Sequence, residues 1–170
     1  MTPKVDPVRD GLVELLPRLR RFARTRTLTV HVHDADDLVQ IAVERALARA
    51  SQWQVGTRLD GWLFGILRNA WIDEVRSRQR RSKLFAPAEA GEQVGAPGAG
   101  TEVDGLAVET ALARLPEEQR SAVSLVLIEG LSYKEAADAM QVPIGTLTSR
   151  LARGRETLQA ILSEPGGRTP

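Results

Sequence analysis

Residues 131–155, LSYKEAADAMQVPIGTLTSRLARGR, read as a helix, a sharp turn and a second helix. Ser132-Tyr133-Lys134-Glu135 has the S-x-x-E form of a capping box, in which hydroxyl and carboxylate each satisfy an orphan backbone N–H. A helix should therefore start there. Gly130 can end the preceding helix in a left-handed cap. Ala136, Ala137 and Met140 share one face, and the small pair lets another helix cross closely. Gln141-Val142-Pro143 breaks the run, and Pro143 suits the start of a new helix better than the interior of an old one. From about Ile144, Leu147, Leu151, Leu158, Ile161 and Leu162 turn inward. Thr146, Thr148, Ser149, Arg150 and Arg153 are left on the N-terminal half of the exposed face. Short hydroxyl side chains allow close approach to a major groove, and arginines suit phosphate or guanine. The bland alternative is a helical hairpin with a solvated polar face. The capping box, small crossing pair, proline turn and S-R-x-x-R face together favour DNA.

Working outward, 170 residues allow one compact domain or two small ones. A hydrophobic fraction of 42% suffices for folded cores. There are no cysteines, which excludes disulfides and thiolate metal sites and suits a reducing cytoplasm. The first ten residues carry Asp and Pro and lack a signal pattern, and no apolar run approaches membrane-spanning length. The net charge of +1 hides an asymmetry. Residues 1–83 hold 16 Lys+Arg against 10 Asp+Glu, or +6, and residues 84–170 hold 7 against 12, or −5. A basic half joined to an acidic half argues for two modules with different tasks. The basic one is the better candidate for broad phosphate contact. The carboxyl half has too little positive charge to bind DNA strongly alone.

The pattern predicts an all-α chain of two small helical domains. A first helix starts at Asp6-Pro7, with Val8, Leu12, Leu15, Leu16, Leu19, Phe22 and Ala23 at helical spacing. Arg18, Arg20, Arg21, Arg24 and Arg26 read as a solvated face. His31 and His33, two residues apart, do not share a helical face and have no evident third metal ligand. Asp34 reads as the N-cap of a second helix, about 34–50. Leu38, Ile41, Ala42 and Leu47 pack inward there, with Val39, Val43 and Ala46 widening the apolar surface; such a helix is central or offers a face to a partner. Residues 51–58, SQWQVGTR, are a loop whose Trp53 either stacks on an unpaired base or plugs a gap between helices. A third helix, about 59–81, turns Leu59, Leu63, Ile66, Leu67 and Ala70 inward. Asn69, Asp73, Arg76 and Arg80 form one polar stripe on it, and Arg68, Arg78, Arg81 and Lys83 add positive charge, a candidate DNA track.

Residues 86–105, APAEAGEQVGAPGAGTEVDG, with five glycines and two prolines, read as an acidic linker that cannot bury a core. As a coil its ends average roughly 25 Å apart, so it fixes no geometry between the modules. Helices about 106–115 and 117–129 follow, and with the pair above they make a four-helix unit. Residues 163–170 read as a polar tail. The expected domains are 6–83, the linker 84–105, 106–162 and the tail.

DADDLVQIAVERALAR followed by RLDGWLFGILRNAWIDEVRSRQRR resembles region 2 of bacterial sigma factors. LARLPEEQRSAVSLVLIEGLSYKEAADAMQVPIGTLTSRLARGR resembles region 4. Their order, with a short linker and no intervening helical domain, is similar to the extracytoplasmic-function (ECF) group. QVGTRLDGWLFGILRN further resembles its general-stress branch. The resemblance implies a three-helix region 2 bundle, a region 4 helix-turn-helix bundle and a promoter-specificity subunit of RNA polymerase. By the same resemblance, Asp37, Leu38 and Gln40 dock on the β′ clamp helices, and the β flap is a further polymerase contact. Trp53, Arg58 and Trp62 would capture a base flipped from the −10 element, with Asn69, Asp73, Arg76 and Arg80 along the melting DNA. Thr146, Thr148, Ser149, Arg150 and Arg153 would enter the −35 major groove. The implied partners are core RNA polymerase, promoter DNA and an anti-sigma factor, in the cytoplasm and at the nucleoid when in holoenzyme. No cofactor, metal, membrane insertion or small-molecule substrate is implied. Two positions depart from the pattern: Ile41 stands where an acidic residue is usual, and Thr148 where lysine is common. A Walker-type glycine loop and an obvious catalytic triad are both missing, so an enzyme is the least supported reading. Two others stand beside the sigma reading: a repressor or activator that binds duplex DNA unaided, and a sigma-like decoy for an anti-sigma protein. The decoy would have lost the basic stripe and the S-R-x-x-R face, and both are present.

Overall fold

The computed structural model describes residues 6–27, 33–84 and 103–164. The Asp6 carboxylate accepts a hydrogen bond from the Val8 N–H at 3.1 Å, and helix α1 (Pro7–Thr27) follows from that cap. Helix α2 (His33–Ala48) begins one residue before the expected cap, so Asp34 lies in its first turn, where it pairs with Arg78 at 3.1 Å. A 3-10 turn (Ala50–Gln52) and a loop lead to α3 (Leu59–Leu84). The three helices pack by the apolar faces that the spacing predicts. Leu12, Leu19, Phe22, Leu38, Ala42, Ala46, Leu63, Phe64 and Leu67 are buried, and the Phe22 and Phe64 rings meet edge to face at 5.1 Å. Leu47 departs from expectation at 44% exposure; Ala46, fully buried, takes the inward position, because a small residue lets the neighbouring helix approach.

The second module holds α4 (Val103–Ala113), α5 (Glu117–Val123), α6 (Tyr133–Met140) and α7 (Ile144–Ser163). Helix α4 takes in the last residues of the stretch read as coil; residues 85–102, His31 and the tail from 165 lie outside the described residues. The helix expected over 117–129 changes character halfway. After Val123 it widens into a π-turn (Ser124–Ile128), closed by the Glu129 N–H donating to the Ser124 carbonyl at 2.9 Å. Leu162 is 52% exposed, so the inward stripe of α7 ends at Leu158 and Ile161.

A single apolar cluster runs through both modules. Helix α3 lies against α6, and α1 against α4. A Cβ placed on Gly65 would stand 3.3 Å from the Ala139 carbonyl oxygen, so the glycine permits a close crossing there. The linker was expected to leave the spacing of the modules open; direct packing of helices sets it.

Candidate nucleic-acid interface

The helix-turn-helix forms as its local signals require. Ser132 Oγ accepts from the Glu135 N–H at 3.2 Å, and the Glu135 carboxylate accepts from the Ser132 N–H at 2.8 Å, completing the capping box. Gly130 has φ 73°, the left-handed cap. Gln141, also left-handed at φ 56°, ends α6, and Pro143 is the N-cap of α7. Leu147 and Leu151 face the core, which leaves Thr148, Ser149 and Arg153 exposed and Thr146 and Arg150 half-buried. Thr148 and Ser149 donate to the Ile144 and Thr146 carbonyls at 2.8 and 3.1 Å, which leaves their oxygens as acceptors. Arg150 is not a free reader: its guanidinium donates to Glu118 at 2.5 Å.

The residues expected at the −10 element divide between two places. Trp53, Arg58, Trp62 and Asn69 line a cavity of about 450 Å³, whose opposite wall is Glu135, Asp138 and Ala139 of α6 and its C-cap Gln141. Trp53 packs against the core with one side, and its Nε1 makes no hydrogen bond. It thus both plugs the helix gap and faces the cavity. Arg49, Gln52, Gln54 and Thr57 also line this cavity. Gln52, Gln54 and Thr57 belong to the 51–58 loop that the resemblance sets at the flipped base, though none was singled out there; Arg49 lies before that loop and had no signal in the sequence. Asp73, Arg76 and Arg80 line a second, open groove with Gln79 and Lys83. Asp73 is paired with Arg45 at 2.8 Å, while Arg76 and Arg80 are exposed. The stripe continuous in sequence is therefore an aromatic pocket at one end and a basic groove at the other.

Three expectations are corrected by burial. Leu38 is 3% exposed and belongs to the core, so Asp37 and Gln40, both exposed, are what α2 can offer a partner there. Arg68 is buried between the modules and is not part of an exposed track. Arg18 and Arg26 leave the solvated face: Arg18, half-buried, and the still exposed Arg21 clasp Glu129 at 3.1 and 2.8 Å, and Arg26, fully buried, pairs with Glu117. Burial lowers the pKa of Arg26, opposed by Glu117. Burial pushes the Asp60 carboxyl upward, but hydrogen bonds from Arg58, Arg18 and the Gly61 N–H outweigh it and hold the group below its ordinary value. The bonds that Arg58 donates to Asp60 raise the pKa of Arg58. Among the described residues, no cluster of His, Asp and Glu could hold a metal, and no helix is long and apolar enough to cross a membrane.

An aromatic cavity and a basic groove on one helical module, with a helix-turn-helix on the other, define a two-module, all-α protein with candidate nucleic-acid surfaces. The sigma-70 region 2 family matches residues 12–81, and sigma-70 region 4 matches 105–158. An ECF RNA polymerase sigma factor, EcfG, of Rhodopseudomonas palustris is 37% identical over 96% of this chain and 90% of its own length. The ECF sigma factor SigE of Mycolicibacterium smegmatis is 36% identical over 84% of this chain and 57% of that protein. The solved sigma factor RpoE of Bartonella quintana, crystallised with the anti-sigma factor NepR, superposes with a TM-score of 0.77 at 32% identity, over 95% of this chain and 99% of that one. The chain belongs to the ECF group of sigma-70-type RNA polymerase sigma factors.

Proposed function

We propose that the chain binds core RNA polymerase through the exposed Asp37–Gln40 edge of α2, with Leu38 holding that helix in the core, and directs initiation from two-element promoters. On this reading, Thr146, Thr148, Ser149, Arg150 and Arg153 enter the −35 major groove. The Trp53–Arg58–Trp62–Asn69 cavity takes a base extruded from the −10 element, stacked on indole. Arg76 and Arg80 then follow the phosphates of the melting strand. Opening is driven by binding energy alone, and the chain carries out no covalent chemistry. The carrying observation is that aromatic cavity and basic groove lie end to end on α3 while the polar face of α7 belongs to the other module.

The remaining partner assignments follow the family. Region 4 would meet the β flap, and the protein would act in the cytoplasm, on the nucleoid when in holoenzyme. An anti-sigma factor would hold it in check; the anti-sigma complex of the Bartonella relative supports this. The test is reconstitution with core polymerase and genomic DNA, with mapping of transcript starts. New promoter-specific starts are expected. If the start pattern is that of core polymerase alone, the proposal fails. Arg150→Ala should keep core binding and lose −35 dependence, with discrimination weakened by about 1–3 kcal/mol.

A further inference from the structure

The first turn of α5 runs beside the N-terminal half of α7. Their crossing is set at Gly154, where a Cβ would meet Val123 Cγ2 at 2.7 Å and the Gln119 carbonyl oxygen at 3.3 Å. Leu147 and Leu151 are buried and fix the rotation of α7 about its axis. Arg150 stands one turn before Gly154 on the same face, so its side chain meets the start of α5. There the Glu118 carboxylate accepts from Arg150 Nη1 at 2.5 Å. Both partners belong to the second module, so parting of the modules leaves the pair intact. Arg153 and Arg155, further along α7, are exposed and make no ion pair among the described residues.

We propose that Glu118 is a positioning residue for base recognition: it holds the Arg150 guanidinium by Nη1 and leaves the Nε–Nη2 edge to pair with O6 and N7 of a guanine in the −35 major groove. This rests on the −35 role of α7 given above. A guanidinium is a planar fork, so fixing one nitrogen fixes the direction of the other donors. A free arginine must be ordered when it binds; one ordered beforehand loses less freedom and favours a single donor direction. Glu118 also sets a negative charge near the DNA, which weakens attraction to phosphates whatever the sequence. It therefore sharpens selectivity while lowering overall affinity, a combination that a purely structural ion pair does not produce. The unpaired Arg153 and Arg155 suit phosphates, which ask for charge more than direction. Glu118 accepts in addition from Arg68 of α3 at 3.1 Å, and Arg68 has a second acceptor in the Met140 carbonyl at 3.4 Å. Arg68→Ala thus separates the contact between modules from the contact to Arg150.

The test uses holoenzyme reconstituted with core polymerase, on a promoter recovered by start mapping. Each −35 guanine is exchanged in turn for adenine, and initiation rates are compared. The parent chain should favour guanine about ten-fold at one position. Glu118→Ala should reduce this preference to about two-fold, and Glu118→Gln, which keeps shape and an acceptor oxygen without the charge, to about four-fold. Core binding should be unchanged, and affinity for a duplex without promoter sequence should be equal or higher. Arg68→Ala should keep the parent's preference. Arg150→Ala should lose it, and Glu118→Ala should add nothing further in that background, since both act through one guanidinium. A preference retained in Glu118→Ala, or a further loss in the double variant, would overturn the positioning role and leave the −35 assignment of Arg150 standing. Equal losses on promoter and non-promoter DNA would show a structural role only and overturn it too. A preference retained in Arg150→Ala would overturn the −35 assignment itself, and the positioning role with it.

Discussion

Arg26 lies with its guanidinium carbon 4.6 Å from the centre of the Phe22 ring, fully buried, with one carboxylate and the Ser121 hydroxyl as hydrogen-bond partners. A buried charge with unfilled donors is a poor source of stability, because desolvation offsets the attraction. Arg26→Met should therefore leave the melting temperature unchanged or raise it slightly. Glu117→Ala removes the partner and keeps the charge, which in a rigid core costs about 3–5 kcal/mol. Calorimetry of Glu117→Ala against the parent chain should show a loss of that order. Asp60 gives a pH prediction. Its carboxyl is held below its ordinary value by Arg58 and Arg18. The stability it contributes is complete above the unfolded value of about 3.9 and disappears as pH falls through the lower folded one. Urea midpoints at neutral pH and at about pH 3 should converge in Asp60→Asn relative to the parent chain. None of these arginine roles was legible in sequence. Periodicity tells which side of α1 faces its own core. It cannot tell what covers the other side when the carboxylates are 91 to 111 residues away. At Leu38 spacing predicted an inward side chain and resemblance a partner contact; the side chain is buried, as spacing predicted.

At the scale of elements, the helix-turn-helix was legible because its determinants are local. Capping box, left-handed glycine and N-terminal proline each act within a few residues of where they stand. Ser132→Ala should cost about 1 kcal/mol in chemical denaturation, the usual value of an N-cap. Gln141 adopts the left-handed conformation at a cost glycine does not have. Gln141→Gly should therefore gain up to about 1 kcal/mol, provided the added freedom of the unfolded chain does not cancel it. Gly154 is a different case. A Cβ there would meet Val123 Cγ2 at 2.7 Å and the Gln119 carbonyl at 3.3 Å, so α7 crosses α5 too closely for any larger residue. Gly154→Ala should destabilise by about 1–3 kcal/mol despite alanine's better helix propensity. The π-turn had no such local sign. SLVLI reads equally well as an α-helix or a strand, and only packing selects the wider turn that delivers Glu129 to Arg18 and Arg21.

For the whole molecule, the charge split was visible, but its use was not. The +6 and −5 halves read as a DNA-binding module beside one too acidic to bind DNA alone. The structure shows the acidic residues of the second half docked on arginines of the first, so the two imbalances neutralise each other across the interface. Composition cannot distinguish charge set aside for a distant ligand from charge set aside for the chain's own other half. The interface also has an apolar component, where α3 crosses α6 at Gly65. This allows the arrangement to be tested without altering a single charge. Gly65→Val places a branched side chain where a bare Cβ would already stand 3.3 Å from the Ala139 carbonyl oxygen and 3.5 Å from its Cα. Backbone cannot rotate away as a flexible side chain can, so α3 and α6 must separate. Each module retains its own buried residues, and far-ultraviolet circular dichroism should stay unchanged apart from a small loss around position 65. The radius of gyration from small-angle scattering should rise above that of the parent chain. A variant with the parent's radius would mean that the modules do not pack through Gly65 in solution, and the account of their direct packing would fall with it.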